Sequence, residues 1–297
     1  MANSTFTGPL RSTSTNGFVS VTTDSTTGTE TTYGKLIGTH LQIDATSGSN
    51  RESDFIVGKN ASPENTVNPF AESSTQLFPL GTKLVYGDKT FVYAGIGGTA
   101  ITAGKTVQTT AAVANHRDIA VQAAASAGAT SVTVTLGSTA ATLNQYANGY
   151  LHINDVAGQG QLLSIASNPA ADASANMVVT LNDAVATALT TSSKADLISN
   201  PWNDLIVAPA TETGPVIGVT VIDMTADYFG WIQTSGPASV LTSGTLVLGE
   251  AAVRSDTTAG AAEPIDADVE GESTIIGQVM VVNGDTDNSV IWLNVGC

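Results

Sequence analysis

The residues of this chain whose types could do chemistry are few. They are three histidines, one cysteine, a Gly-Lys-Thr run and scattered carboxylates. His40, His116 and His152 lie far apart, and none has the spacing of a metal-ligand pair. Each reads as an ordinary surface or satisfied histidine. Cys297, the last residue, has no second cysteine to pair with, so the fold is expected to stand without a disulfide and to tolerate a reducing cytoplasm. It reads as an incidental thiol. Ala103-Gly104-Lys105-Thr106 suggests a phosphate loop, but the glycine required five positions before Gly104 is replaced by Thr99, and no helix is indicated after Thr106. Gly95-Ile96-Gly97-Gly98-Thr99-Ala100 loosely fits a dinucleotide fingerprint, yet strand and turn residues follow where a helix is needed. Asp285-Thr286-Asp287-Asn288 lacks the rest of a calcium loop and reads as a turn. No G-x-S-x-G elbow is present. Any two of the 26 carboxylates could converge as a glycosidase pair, but no short-range pattern selects one. The expectation is a protein that is not an enzyme, with no cofactor and no metal.

The elements that would position any site are strands. Thr, Ser, Ala, Gly and Val dominate, aromatics are 5% and charged residues 12%. β-Branched Thr and Val fit a pleated surface, whereas the usual helix formers are scarce. Lys83-Leu84-Val85-Tyr86 and Lys89 to Ala94 flank Gly87-Asp88 as a predicted hairpin. Ala100 to Lys105 follows as a short strand and turn. Asn115 to Ala127 reads as either a short helix or a strand. Ser131 to Leu136 alternates strictly between polar and apolar, as a half-buried strand does. A turn and strand are expected over Tyr146–Ile153, and further strands at Gln161–Ile165, Met177–Leu181, Asp204–Ala208 and Pro215–Ile222, with a boundary at Asn200-Pro201-Trp202. Phe229 to Thr234 is an aromatic strand expected to close on a Gly236-Pro237 turn. Ser239–Leu241 and Thr245–Leu248 continue the series, and 254–273 reads as loop. Ile275–Val282 and Ser289–Val295 form a terminal hairpin. No exact internal repeat is visible.

The fold class is therefore all-β, with β-sandwich or barrel domains and an extended, irregular N-terminal arm. Residues 1–78 are the arm, 79–105 with 201–297 the main β-domain, and 106–200 an inserted β-domain that could form a surface knob. The arm is rich in Ser and Thr and holds isolated apolar residues that need somewhere to pack.

A net charge of −16 disfavours nucleic-acid binding and favours solubility. No run of about 18 apolar residues is present, so no transmembrane helix and no membrane partner are expected. Met1 to Thr5 has neither a basic region nor an apolar stretch, and no secretory signal is expected. Trp231 and Trp292 lie on predicted strands and read as core, with an intersubunit anchor as the alternative.

Gly81 to Val85, Phe91 to Ala94, Tyr228 to Pro237 and Val247-Leu248-Gly249-Glu250-Ala251 together resemble structural proteins of tailed bacteriophages. More narrowly, they are similar to capsid decoration, or cement, proteins. The resemblance covers about residues 75–295. It implies no catalytic residues. It implies a homo-oligomer, often a trimer, bound to the major capsid protein on the virion exterior after assembly in the host cytoplasm. The function so implied is to stabilise the shell by bridging neighbouring capsomers, and the alternative is a tail-fibre or receptor-binding structural protein. The candidate interface residues are Phe6, Phe18, Leu41, Ile43, Phe55, Phe70, Trp202 and Trp231.

Overall fold

The computed structural model describes residues 67–265 and 274–295, together with the backbone of three N-terminal strands. Those strands are β1 (Val19–Thr23), β2 (Glu30–Ile37) and β3 (His40–Gln42), an antiparallel sheet in the order β1-β2-β3. The chain divides into two compact units, Met1–Asn68 with Leu84–Gly87, and Pro69–Lys83 with Asp88–Cys297. The arm proposed for residues 1–78 falls largely outside the described residues.

The fold is nearly all β, as the composition leads one to expect. β4 (Lys83–Tyr86) and β5 (Lys89–Gly95) flank the Gly87-Asp88 turn, with Gly87 at a φ of 70° that only glycine adopts freely. β6 (Thr106–Gln108) follows. The ambiguous stretch after Asn115 resolves into a single 3-10 turn, Ala114–His116, and a short strand, β7 (Ile119–Val121).

From β7 the chain builds a closed barrel with β8 (Ser131–Thr135), β9 (Tyr150–Asp155), β10 (Leu162–Ser167), β11 (Asn176–Leu181) and β12 (Lys194–Ile198). Its strand order is β10-β11-β8-β7-β12-β9, every pair antiparallel. Alternation decides which residues fill it: Val132 and Val134, Leu151 and Ile153, Leu163 and Ile165, Met177 and Val179, and Ala195 and Leu197 all point inward and are buried. Their polar neighbours face out. A small barrel is filled by such side chains and leaves no open edge. Each buried Leu, Ile, Val or Met contributes about 1.5–3 kcal/mol.

The rest forms a curled sheet. Its strands are β13 (Ile206–Val207), β14 (Val216–Thr220), β15 (Phe229–Leu241), β16 (Ala251–Arg254), β17 (Ala262–Pro264), β18 (Ile275–Val281) and β19 (Asn288–Asn294), joined by β5 and β6. The order runs β13-β6-β14-β15-β19-β18-β16-β17, with β5 also paired to β15. The curl links its own ends: Gly260 N–H donates to Ala208 O, and Thr106 N–H donates to Gly260 O. One face carries Val216, Val219, Val240, Ile276, Ile291 and Leu293; the other carries Ile96, Val107, Leu205, Ile217, Met224 and Ile232. β6 and β13 pair with each other, so the barrel leaves and rejoins the sheet through adjacent strands. β6 itself belongs to the sheet, so the barrel insert starts after Gln108.

Three expectations need correction here, and one is the loop at 254–273, where Ala262–Pro264 pairs with β16 as β17. The aromatic strand does not stop at Gly236-Pro237. β15 runs on to Leu241 because Gly236 takes a φ of 86° beside a bulge between Gln233 and Ser235, which bends the strand without ending it. Pro237 then pairs with Trp292 of β19. Thr245–Leu248 is not a strand: Leu246 alone is buried there, and Val247 and Leu248 are exposed in a turn.

Candidate functional site

Where β5 pairs with β15, Phe78, Tyr93 and Trp231 form an aromatic cluster. Tyr93 and Trp231 are a cross-strand pair with ring centroids 5.1 Å apart, and Phe78 lies 5.2 Å from Tyr93 and 5.4 Å from Trp231. Such pairs add about 0.5–1.5 kcal/mol each beyond burial. The segment before β4 is held over this cluster. Leu77 N–H donates to the Tyr93 hydroxyl, Ser73 exchanges backbone bonds with Phe229, and Glu72 accepts from the amide and hydroxyl of Thr225.

Beside the cluster, segment 76–81, the start of β9 and the turn at 200–202 enclose a cleft of about 630 Å³. Its position follows from the sequence. Gly149 lets the barrel backbone pass against the carbonyl of Ile198, a place where any Cβ would collide. That approach brings Tyr150 alongside Ile198 in the β9–β12 ladder and sets Asn148 at a φ of 58°. Asn200 Oδ1 caps the turn by accepting from Trp202 N–H at 2.9 Å, and Trp202 O accepts from Gly95 N–H at 2.9 Å. The Trp202 ring then rests on Gly81, where a Cβ would sit 3.1 Å from its Cδ1. Trp202 packs against the core of the sheet and also lines the cleft. Asp, Glu, Lys, Arg and His are absent from the lining residues.

The groups that could do chemistry have structural partners. His116 is fully buried; its Nε2 lies 2.9 Å from Thr139 O and its Nδ1 meets the Tyr146 hydroxyl. Burial pushes the Tyr146 phenol up to about 12. Gln145 Nε2 donates to the same hydroxyl, and Asn168 Oδ1 accepts from Tyr146 N–H. His152 Nδ1 lies 3.0 Å from Asp196 Oδ2, across the β9–β12 ladder, while Asp196 Oδ1 accepts from Asp118 N–H and Asn154 Nδ2. Lys105 Nζ donates to Ala259 O, and β6 rather than a helix follows it. Asp285 Oδ1 accepts from Gly244 N–H, anchoring the terminal turn. Arg254, 3% exposed, reaches Glu212 Oε1 at 3.1 Å and the carbonyls of Pro209, Ala210 and Ser255. Asp204 faces Asp227; burial, and then that neighbouring carboxylate, raise its carboxyl above the ordinary value. Among the described residues, no group of three or more His, Cys, Asp or Glu side chains could hold a metal ion. No helix among them is long and apolar enough to cross a membrane.

The sequence-derived interface residues separate. Phe6, Phe18, Ile43, Phe55 and Cys297 lie outside the described residues. Leu41 sits in β3 and His40 begins it. Phe70 is 46% exposed and packs edge-on to Phe91 of the same chain. Trp202 lines the cleft. Trp231, 4% exposed, is core and offers no exposed anchor, because its cross-strand partner Tyr93 and the overlying Phe78 enclose it. Trp292 departs from the core expectation at 45% exposure, because it alternates with the inward Ile291 and Leu293. Around it on the outside of β18 and its neighbours, Ile275, Met280, Val281, Val247 and Leu248 are also exposed. Sequence reasoning missed Tyr150, Asn148 and segment 76–81 as parts of one site. They are distant in sequence, and only the barrel insertion brings them together.

No protein-family model, no curated protein and no solved structure matches this chain.

Proposed function

We propose that this protein is a structural virion component that binds the outer surface of a tailed-bacteriophage capsid and stabilises the shell by bridging neighbouring capsomers. The observation that carries the reading is the exposed apolar row of Trp292, Met280, Val281 and Ile275 on β18 and β19, flanked by Val247 and Leu248. Large side chains that a folded sheet leaves outside mark a contact surface more often than chance exposure, and an exposed tryptophan is a frequent interface anchor. The resemblance of Tyr228 to Pro237 and Val247 to Ala251 to decoration proteins points the same way. A closed barrel joined to such a surface suits a part whose task is many weak, repeated contacts in a symmetric array.

The test is the copy number per virion, measured by quantitative mass spectrometry against the major capsid protein. Hundreds of copies in simple ratio to the shell protein support the reading, and a handful would assign the chain to a tail or fibre. A Trp292→Asp, Met280→Asp variant should keep its fold and lose binding to purified shells. Undiminished binding would reject this surface.

A further inference from the structure

We propose that the cleft between the barrel and the segment before β4 is a binding site for a neutral saccharide. Its volume of about 630 Å³ falls within the range of about 300–1,000 Å³ that small-molecule sites occupy. The lining joins two kinds of group. Trp202, Tyr150 and Phe78 supply aromatic surface, and Asn148, Asn200 and Gln76 supply carboxamides. A pyranose has the matching halves: a face of C–H bonds that lies on an aromatic ring and a rim of hydroxyls, each both donor and acceptor. A carboxamide also offers both roles, so it pairs with a hydroxyl in either sense. Tyr and Trp add a polar tip to an apolar body.

The absence of charge among the lining residues sets the class. A phosphate, carboxylate or ammonium ligand would find no counter-charge there, and the net charge of −16 opposes anions further. Part of the polar lining is available, although Gln76 Nε2 already donates to Phe78 O and Asn200 Oδ1 accepts from Trp202 N–H. Among the described residues, no hydrogen bond engages the Asn148 carboxamide, the Tyr150 hydroxyl or the Trp202 indole N–H. The platform is preformed, since Trp202 is fixed by its backbone bonds to Asn200 and Gly95 and by its contact with Gly81. Preformed sites lose little conformational freedom on binding. The inference rests on the cleft alone and holds whether or not the protein decorates a shell.

The experiment is a titration of the ¹⁵N-labelled full chain with maltose, lactose and N,N′-diacetylchitobiose, and with digalacturonate as the anionic counterpart. The Trp202 indole resonance is identified by its loss in Trp202→Phe. A saturable shift of that resonance is expected with at least one neutral sugar and weaker binding of digalacturonate. Tyr150→Phe and Asn148→Gly should each lower affinity about three- to tenfold without changing the melting temperature; glycine keeps the left-handed backbone at 148. No saturable shift with any neutral sugar overturns the proposal. So does equal affinity for digalacturonate, or full affinity in both variants.

Discussion

The imidazole Nδ1 of His116 accepts the phenol proton of Tyr146. In the neutral ring this direction follows from the other nitrogen, since Nε2 faces the carbonyl of Thr139 and must carry the hydrogen. Both side chains are buried at the barrel's end, at 0% and 1% exposure. Tyr146→Phe would leave Nδ1 without a partner away from water. It should cost about 1–3 kcal/mol in denaturant unfolding, and a cost near zero would show that the bond is not made in solution.

The same phenol makes the fold sensitive to alkali. Tyr146 titrates at about 12 when folded, against about 10 unfolded. The folded state therefore holds its proton longer. Its contribution is complete below about pH 10 and is lost as pH rises towards 12, by roughly 2–3 kcal/mol. Melting scans of wild type across that window should fall more steeply than those of Tyr146→Phe.

Asp204 shows a linkage of the same sign at the acid end of the scale. Burial and the Asp227 carboxylate hold its pKa above the ordinary value, so the folded protein takes up a proton before the unfolded chain does. Stability gains from this residue as pH falls through its folded pKa. Asp227→Asn should lower the Asp204 midpoint seen by carboxyl ¹³C NMR. An unchanged midpoint would leave burial as the whole cause.

Gly236 bends β15 where a Cβ would strike the carbonyl oxygen of Asp88. Gly236→Ala adds that collision to a φ of 86°. The variant should lose at least about 1–3 kcal/mol, whereas Gly128→Ala has open space around it and should lose only the cost of its φ of 89°.

Arg254 is a buried cation whose guanidinium serves three carbonyls and Glu212. Arg254→Ala removes the donor from three carbonyls and should cost at least about 1–3 kcal/mol, measured by chemical denaturation. Glu212→Gln, altering the more exposed partner, should cost much less.

Much of the barrel was legible because its strands alternate cleanly. Ser131–Leu136 and Met177–Leu181 carry inward residues at every second position, and both fold as read. β12 escaped notice because Ala195 and Leu197 give it only two inward apolar residues, between Lys194, Asp196 and Ile198. β16 and β17 are short and alanine-rich, and their pairing with distant neighbours supplies what their local sequence lacks. Gly236-Pro237 carries a strong turn signal, and long-range pairing with β19 overrides it. The cleft had one visible sign, the Asn200-Pro201-Trp202 boundary. Its other walls are segment 76–81, before the insertion, and the start of β9, in the middle of it, and no spacing along the chain encodes that meeting.

The pairing of β6 with β13 also determines how this molecule responds to force. Gln108 faces Ile206 and Val107 faces Val207 at the neck where the barrel joins the sheet. Tension applied through the barrel pulls these two strands apart like a zipper, one rung after another, each held by about 1 kcal/mol net. The barrel has no free edge to peel. Under load the neck should yield first, as a mechanical fuse, with the ring of strands carried away intact.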